Sequence, residues 1–179
     1  MKVNKRFLYI LIPVFVGIIV FDLLTKEFIA EAMMGEGNKS FISGLINFTY
    51  VENNGAAWNM FAGNRVFLII ISFVFVALLG FFYFLERKNG ALFHIGAGLI
   101  FGGAIGNLVD RIFIGFVRDF IQFDFWKDFP VFNIADAALT IGVVLVVLYY
   151  VILLFKRGKN AGKNQDKQWR LWKKTWCFS

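Results

Sequence analysis

Residues 66–85 read VFLIIISFVFVALLGFFYFL and contain no charged residue. A helix of about 20 apolar residues is long enough to cross the roughly 30 Å hydrocarbon core of a bilayer. Three further segments have a similar apolar character, and they cover residues 7–24, 91–109 and 137–155. The sequence therefore predicts a mostly α-helical membrane protein with four transmembrane helices.

The composition of the whole chain excludes several other classes of protein. Of its 179 residues, 59% are hydrophobic and 17% are charged, whereas soluble domains have about half and a quarter. The single cysteine, Cys177, cannot form an internal disulfide. The single histidine, His94, leaves too few ligands for a zinc site and is better explained as a structural side chain. We expect neither a metal nor a cofactor.

The net charge of +7 is concentrated at the C-terminus. Residues 156–179 contain eight bases and one acid, whereas the remainder has eleven of each. We therefore expect a membrane domain over residues 1–155 and a basic cytoplasmic tail over residues 156–179. Such a tail attracts anionic membrane lipid, and we do not expect nucleic acid as a partner.

The distribution of bases also predicts the orientation in the membrane. Lys2, Lys5, Arg6, Arg87 and Lys88 lie on the same side as the basic tail. Cytoplasmic loops carry an excess of Lys and Arg, so both termini are expected in the cytoplasm. Two loops, residues 25–65 and 110–136, then face outward.

The two outer loops have different patterns. In the first loop, residues 45–51 read LINFTYV and predict a strand, because they are rich in β-branched and aromatic side chains. The residues NNG at 53–55 predict a turn, and an apolar run resumes at 56–61. We expect this loop to form a small β-sheet on the outer membrane face. The second loop is rich in aromatic residues, which favour the membrane interface.

Ionisable groups cluster on that outer side. An ionisable residue at membrane depth is costly and indicates a functional site. Several of these ionisable residues have a polar neighbour at helical spacing. Structural roles would also explain this spacing, namely an orienting ion pair between Asp22 and Lys26 or a helix cap by Asn133 or Asp136. The four acids at or beside the predicted helix ends are Asp22, Asp110, Asp119 and Asp136.

Two of these carboxylates could carry out hydrolysis together. Two close carboxyl groups in a medium of low dielectric cannot both ionise, so they share one proton. One member then activates water while the other protonates the carbonyl oxygen. A proton-coupled transporter and a non-enzymatic membrane scaffold are the alternatives. A transporter, however, places its carboxylates near the midplane of the membrane.

Five blocks in this order resemble the signature blocks of bacterial lipoprotein signal peptidase, also called signal peptidase II. They are DLLTK at 22–26, NNGAA at 53–57, GGAIGNLVDR at 102–111, VRDF at 117–120 and FNIAD at 132–136. The resemblance runs from about Phe7 to Phe155. The glycine-rich block followed by FNIAD is its most specific part. Gly102 and Gly106 within it also form a small-residue step that favours close helix packing.

The resemblance implies an aspartic endopeptidase with four transmembrane helices, an extracytoplasmic β-cradle and an interfacial helix. Such an enzyme acts in the bacterial cytoplasmic membrane, with its active site on the outer side. It would cut diacylglyceryl-modified prolipoproteins just before the lipidated cysteine, without a cofactor, as a monomer that globomycin-type antibiotics inhibit.

Matched residue by residue, the resemblance places the catalytic dyad on Asp119 and Asp136. A dyad of Asp110 and Asp136 is the alternative.

The chain departs from the family pattern at Trp58, at Arg118 and in residues 169–179. In an extended segment Arg118 would face away from Asp119. The substrate-binding and supporting positions fall on Asp22, Lys26, Asn53, Gly55, Asn107, Asp110, Arg111 and Asn133.

Overall fold

The computed structural model describes residues 8–33, 35, 37–56, 58, 60–87 and 90–176. Four helices account for most of them: α1 (Leu8–Met33), α2 (Arg65–Glu86), α3 (Ala91–Phe113) and α4 (Ile134–Trp176). Each contains a stretch that is long and apolar enough to cross a membrane. The four predicted spans are therefore confirmed. Lys2, Lys5, Arg6, Lys88 and Cys177, which entered the sequence predictions, lie outside the described residues.

A three-stranded antiparallel sheet lies at one end of the helices, which we call the sheet end. Its strands are β1 (Lys39–Ile42), β2 (Ile46–Asn53) and β3 (Val117–Phe123), in the order β1-β2-β3. Strand β2 confirms the strand predicted at residues 45–51. At the sheet end, α1 and α3 finish while α2 and α4 begin, and both α1 and α3 contact β3.

The predicted small sheet is present, but it includes one strand that was not predicted. The third strand comes from the second loop, and the described residues of segment 56–61 form turns. Strand β3 suits this position because its side chains alternate between two environments. Phe120 packs with Ile29 and Met33 in the apolar core, whereas Asp119 faces a cavity on the other side.

Among the described residues of the two outer loops, there is no separate interfacial helix of the kind that the resemblance implied. After β3 the chain turns back, and Phe132 pairs with Ile121 as an isolated antiparallel bridge. The rings of Phe123, Phe129 and Phe132 pack together, with centroids 5.2 to 5.8 Å apart. The three residues are half-buried.

Helix α3 is the centre of the bundle. It is largely buried, whereas the other three helices present most of their surface outward. A Cβ atom at Gly102 would lie 2.7 Å from the Cβ of Ile18 on α1, and one at Gly103 would overlap the carbonyl oxygen of Ala135 on α4. The predicted small-residue packing is therefore confirmed, and it brings α1 and α4 against the polar face of α3.

Helix α4 continues well beyond its membrane-spanning part. The apolar stretch covers Ile134–Lys159, but the helix extends without interruption to Trp176. A helix of this length measures about 65 Å, twice the thickness of the hydrocarbon core. Most of the predicted basic tail is thus a continuation of the fourth helix, on which Trp169 and Trp172 are exposed.

Candidate active site

A cavity of about 480 Å³ opens at the sheet end between α2, α3, α4 and β3. Its wall combines apolar side chains, such as Phe75 and Leu139, with a group of polar ones. His94, by contrast, is buried away from this cavity, with the Tyr83 hydroxyl 3.1 Å from its Nδ1. The polar side chains that line the cavity are Asn53, Ser72, Asn107, Arg111, Asp119, Asp136 and Thr140.

Asp119 is held between two side-chain amides. Strand β3 presents it to the cavity, where only 2% of the residue is exposed. Asn53, at the end of β2, donates to Oδ2 at 2.8 Å. Asn133, just before α4, donates to Oδ1 at 2.6 Å. Both carboxylate oxygens therefore have a fixed donor, and the orientation of the group is set.

Asp136 lies in the first turn of α4, where the unpaired N–H groups of a helix favour negative charge. The amide of Asn107 on α3 donates to its Oδ1 at 2.7 Å. The backbone N–H of Asn133 donates to its Oδ2 at 3.2 Å, and the N–H of Asp136 donates to Asn133 Oδ1 at 3.0 Å. This reciprocal pair is a helix cap, so the predicted capping role of these two residues is confirmed.

Behind the two carboxylates, Lys26 organises a buried network. The residue is completely inaccessible to solvent. Its ammonium lies 2.8 Å from Asp22 Oδ2 and 3.3 Å from Asp110 Oδ2, and it donates to Asn107 Oδ1 at 3.0 Å. The last contact directs the Asn107 NH₂ group toward Asp136. The expected Asp22–Lys26 ion pair is present, but it is part of a larger network.

Asp22 also connects α1 to α4. Its Oδ1 accepts a hydrogen bond of 2.8 Å from the backbone N–H of Ala135. Ala135 is one residue from Asp136, and its N–H is one of the donors that a helix leaves unpaired in its first turn. The side chain of Asp22 thus fixes the start of α4 relative to the network around Lys26.

Asp110 is buried and does not line the cavity. Its carboxylate accepts from the backbone N–H of Arg118 at 3.0 Å and lies 2.9 Å from Arg118 Nη2. Arg118 also contacts Glu27 through Nη1, at 2.6 Å. As the alternation along the strand predicted, the Arg118 side chain points away from Asp119. Glu27, an acid on α1 that belongs to none of the five blocks, was not among the predicted site residues.

Arg111 connects the cavity wall to the segment after β2. Its Nη2 donates to the carbonyl oxygen of Gly55 at 3.0 Å, while the Gly55 N–H donates to Asn53 Oδ1 at 2.9 Å. The buried Nε of Arg111 has no hydrogen-bond acceptor within the part of the chain that the structure describes.

The end of α3 is held by Arg65, which donates to the carbonyl oxygens of Arg111 and Ile112 at 2.8 Å. Arg65 was not among the predicted site residues.

The electrostatic environment changes the ionisation of Asp119. Burial and the negative charge of Asp136 raise the pKa of Asp119 from 3.8 to about 7, against the lowering effect of the hydrogen bonds from Asn53 and Asn133. A carboxyl group with this pKa carries a proton in a large fraction of molecules at neutral pH. The arrangement can therefore hold one acidic proton next to a second carboxylate, which is what acid–base catalysis by two carboxyl groups needs.

Comparison with known proteins finds relatives along most of the chain. Residues 14–152 match the model of the signal peptidase (SPase) II family. The lipoprotein signal peptidase of Lactobacillus johnsonii is 37% identical over 153 residues, which cover 86% of this chain and 97% of that protein. The lipoprotein signal peptidase of Staphylococcus aureus is 41% identical over 160 residues, or 89% of this chain and 93% of that one.

Solved structures give the same result for the fold. A structure described as a bacterial membrane enzyme superimposes with a TM-score of 0.71 at 36% sequence identity, covering 83% of this chain and 89% of that chain. A second structure with the same description has a TM-score of 0.68 at 37% identity. Since the family match extends from the first helix into the fourth and includes every residue of the polar network described above, this membrane protein belongs to the signal peptidase II family of proteases.

Proposed function

We propose that the chain is an aspartic endopeptidase that removes the signal peptide from diacylglyceryl-modified prolipoproteins, cutting just before the lipidated cysteine. The observation that carries the proposal is that Asp119 and Asp136 line one cavity, each held by amide donors. The names of the related proteins support the substrate class.

In the proposed mechanism, Asp119 carries the proton that the two carboxyl groups share, because burial and the charge of Asp136 both raise its pKa to about 7. Asp136 accepts a proton from water, and the resulting hydroxide attacks the carbonyl carbon of the scissile bond. Asp119 donates its proton to the carbonyl oxygen. As the tetrahedral intermediate collapses, Asp136 gives the proton it took from water to the nitrogen of the lipidated cysteine, and the C–N bond breaks. Asp119 recovers its proton from the hydroxyl group that becomes the new carboxyl group, which restores the starting state.

The remaining polar residues are proposed to hold the substrate and the two aspartates. Arg111 lines the cavity, where its side chain is placed to donate to a carbonyl oxygen of the substrate, while Asn53, Asn107 and Asn133 orient the carboxylates. Asp22, Lys26 and Asp110 form the support beneath them. Gly55 supplies the carbonyl oxygen to which Arg111 is bound.

We also propose the placement in the cell. The basic residues assign both termini to the cytoplasm, which puts the sheet end and the cavity on the outer face of the bacterial cytoplasmic membrane. Residues 1–155 would form the peptidase domain and residues 156–179 the basic tail. We expect a monomer without a cofactor that globomycin-type antibiotics inhibit, since all proposed catalytic groups come from one chain.

The test is cleavage of a defined substrate by the purified protein in detergent. A precursor carrying the diacylglyceryl group on its cysteine should yield two products, and mass spectrometry should place the new N-terminus at that cysteine. The matched control is the same precursor without the lipid, which should remain intact. Absence of cleavage of the lipidated precursor by folded protein, or cleavage at another bond, would contradict the proposal.

A further inference from the structure

Strand β3 separates two environments by the alternation of its side chains. Val117 and Asp119 line the cavity, whereas Arg118 and Phe120 lie on the opposite face, among residues of α1 and α3. We propose that Arg118 is a positioning residue that ties the strand carrying Asp119 to α3 through Asp110 and to α1 through Glu27. This inference rests on the proposed function, because it assigns a role in the same reaction.

Residue 118 is held through both its backbone and its side chain. Its backbone N–H donates to Asp110 Oδ2 at 3.0 Å, its Nη2 lies 2.9 Å from Asp110 Oδ1, and its carbonyl oxygen accepts from Asn133 Nδ2 at 3.4 Å. Asn133 donates to Asp119 through that same nitrogen. A displacement of residue 118 would therefore move both Asp119 and its donor.

The contact with Glu27 extends this attachment to the first helix. Glu27 is 65% exposed at its side chain, whereas the Arg118 side chain is 8% exposed. The guanidinium has five N–H donors in a rigid planar arrangement and can bind two carboxylates at once, whereas a lysine ammonium is a single point of charge. Arginine is thus suited to join Asp110 and Glu27 in a way that lysine is not.

The sheet needs such an attachment at this position. The antiparallel register between β2 and β3 shifts between Phe48 and Val51, and Val51 is the partner of Asp119. An irregularity of this kind disrupts the ladder locally. Next to Asp119, the strand is therefore held less completely by β2, and the contacts of Arg118 hold it from the other face.

The experiment compares variants of the full chain in the cleavage assay with the lipidated precursor. We expect Arg118→Gln to lower kcat about tenfold, which corresponds to about 1.4 kcal/mol in barrier height, with KM changed by less than about twofold. Arg118→Lys should lie between this variant and the wild type. Glu27→Gln should lower kcat about threefold alone, and it should have no further effect when Arg118→Gln is already present.

Glu31→Gln is the matched control, since Glu31 is an exposed acid one helical turn further along α1, and it should retain wild-type kcat. A folded Arg118→Gln variant with wild-type kcat, a loss confined to KM, or full activity of Arg118→Lys would overturn the inference. If Arg118→Gln does not fold, the surface variant Glu27→Gln decides the matter, and activity equal to that of Glu31→Gln would overturn it.

Amide hydrogen exchange gives a readout that does not depend on activity. In Arg118→Gln, exchange should become faster in residues 117–123 while the four helices keep their protection. Unchanged exchange in this strand would overturn the inference even if the wild type cleaved no precursor. A wild type that cleaves nothing, combined with faster exchange of the strand, would count against the proposed function and leave the attachment by Arg118 in place.

Discussion

Asn133 and Asp136 cap each other across the first turn of α4, and this determines which way the Asn133 amide faces. The side-chain oxygen of Asn133 accepts from the backbone N–H of Asp136 at 3.0 Å, while the backbone N–H of Asn133 donates to Asp136 Oδ2 at 3.2 Å. Because the side-chain oxygen is used in the cap, the side-chain nitrogen points toward Asp119 and donates to its Oδ1 at 2.6 Å. One residue thereby links the folding of a helix terminus to the placement of both carboxylates.

Asn133 should therefore be required both for the stability of the fold and for activity. Asn133→Ala removes the cap, with an expected loss of about 1 kcal/mol of stability, and removes the donor to Asp119, with an expected decrease of about 100-fold in kcat. Asn133→Asp keeps an oxygen for the cap but places a second acid beside Asp119. It should have equally low activity, and because residue 133 is fully buried, the added acid should also lower the thermal midpoint. Wild-type kcat in Asn133→Ala would show that Asp119 does not need this donor.

Replacing either proposed catalytic aspartate should abolish cleavage without unfolding the protein. Asparagine has the shape of aspartate but can neither share nor accept the proton, so Asp119→Asn and Asp136→Asn should each retain less than a few per cent of the wild-type kcat. Size-exclusion chromatography and thermal unfolding should show a folded protein. Substantial activity in either purified variant would remove that aspartate from the dyad.

Activity should decrease as the pH rises through about 7. The pKa of Asp119 is raised from 3.8 to about 7 by burial and by Asp136, so below that pH the carboxyl group holds the proton that the mechanism uses. Above it, this proton is lost. The same shift means that the folded chain binds the proton more tightly than the unfolded chain. The contribution of the protonated Asp119 to the free energy of unfolding is therefore full below about pH 4 and is lost as the pH rises to about 7. A rate that is flat across neutral pH would contradict this assignment.

Asp110→Asn should affect stability more than the chemistry. The buried carboxylate of Asp110 is paired with Lys26 and Arg118, and loss of one partner of a buried ion pair costs about 3–5 kcal/mol. We expect a marked decrease in the thermal midpoint and reduced activity. The alternative dyad of Asp110 and Asp136 predicts instead a well-folded, inactive Asp110→Asn protein together with an active Asp119→Asn protein, and measuring both variants distinguishes the two.

The end of α4 should be dispensable for cleavage. Deletion of residues 168–179 removes part of the helix that extends beyond the membrane-spanning stretch, at the opposite end from the cavity. Turnover of the lipidated precursor in detergent should stay within about twofold of the wild type, a difference of about 0.4 kcal/mol. A tenfold loss in a truncated protein that is still folded would show that these residues belong to the enzyme.

Much of the fold could be predicted from the sequence because the signal is local. The uncharged run at 66–85 and the three similar segments have no other stable environment than a bilayer or a large apolar core. The strand at β2 followed from its β-branched and aromatic residues. Gly102 and Gly106 indicated close packing of α3, which the contacts with Ile18 and Asp22 confirm.

The sequence also identified most residues of the polar network, although not Glu27 or Arg65. It did so in part through the spacing of acids at helix ends and in part through the resemblance of five blocks to one family. What it could not supply was the grouping of these residues. The bonds from Asn133 to Asp119 and from Lys26 to Asn107 join residues on different elements. No periodicity along the chain encodes such a contact.

The tertiary structure alone decided how the sheet is built and where Arg118 lies. Strand β3 could have been a separate interfacial segment, because its aromatic residues suit the headgroup zone equally well. It pairs with β2 because this places Phe120 in the core with Ile29 and Met33 and leaves Asp119 in the cavity. The same alternation buries Arg118 between Asp110 and Glu27. A buried guanidinium is costly unless it is paired, and here two carboxylates from different helices pair with it.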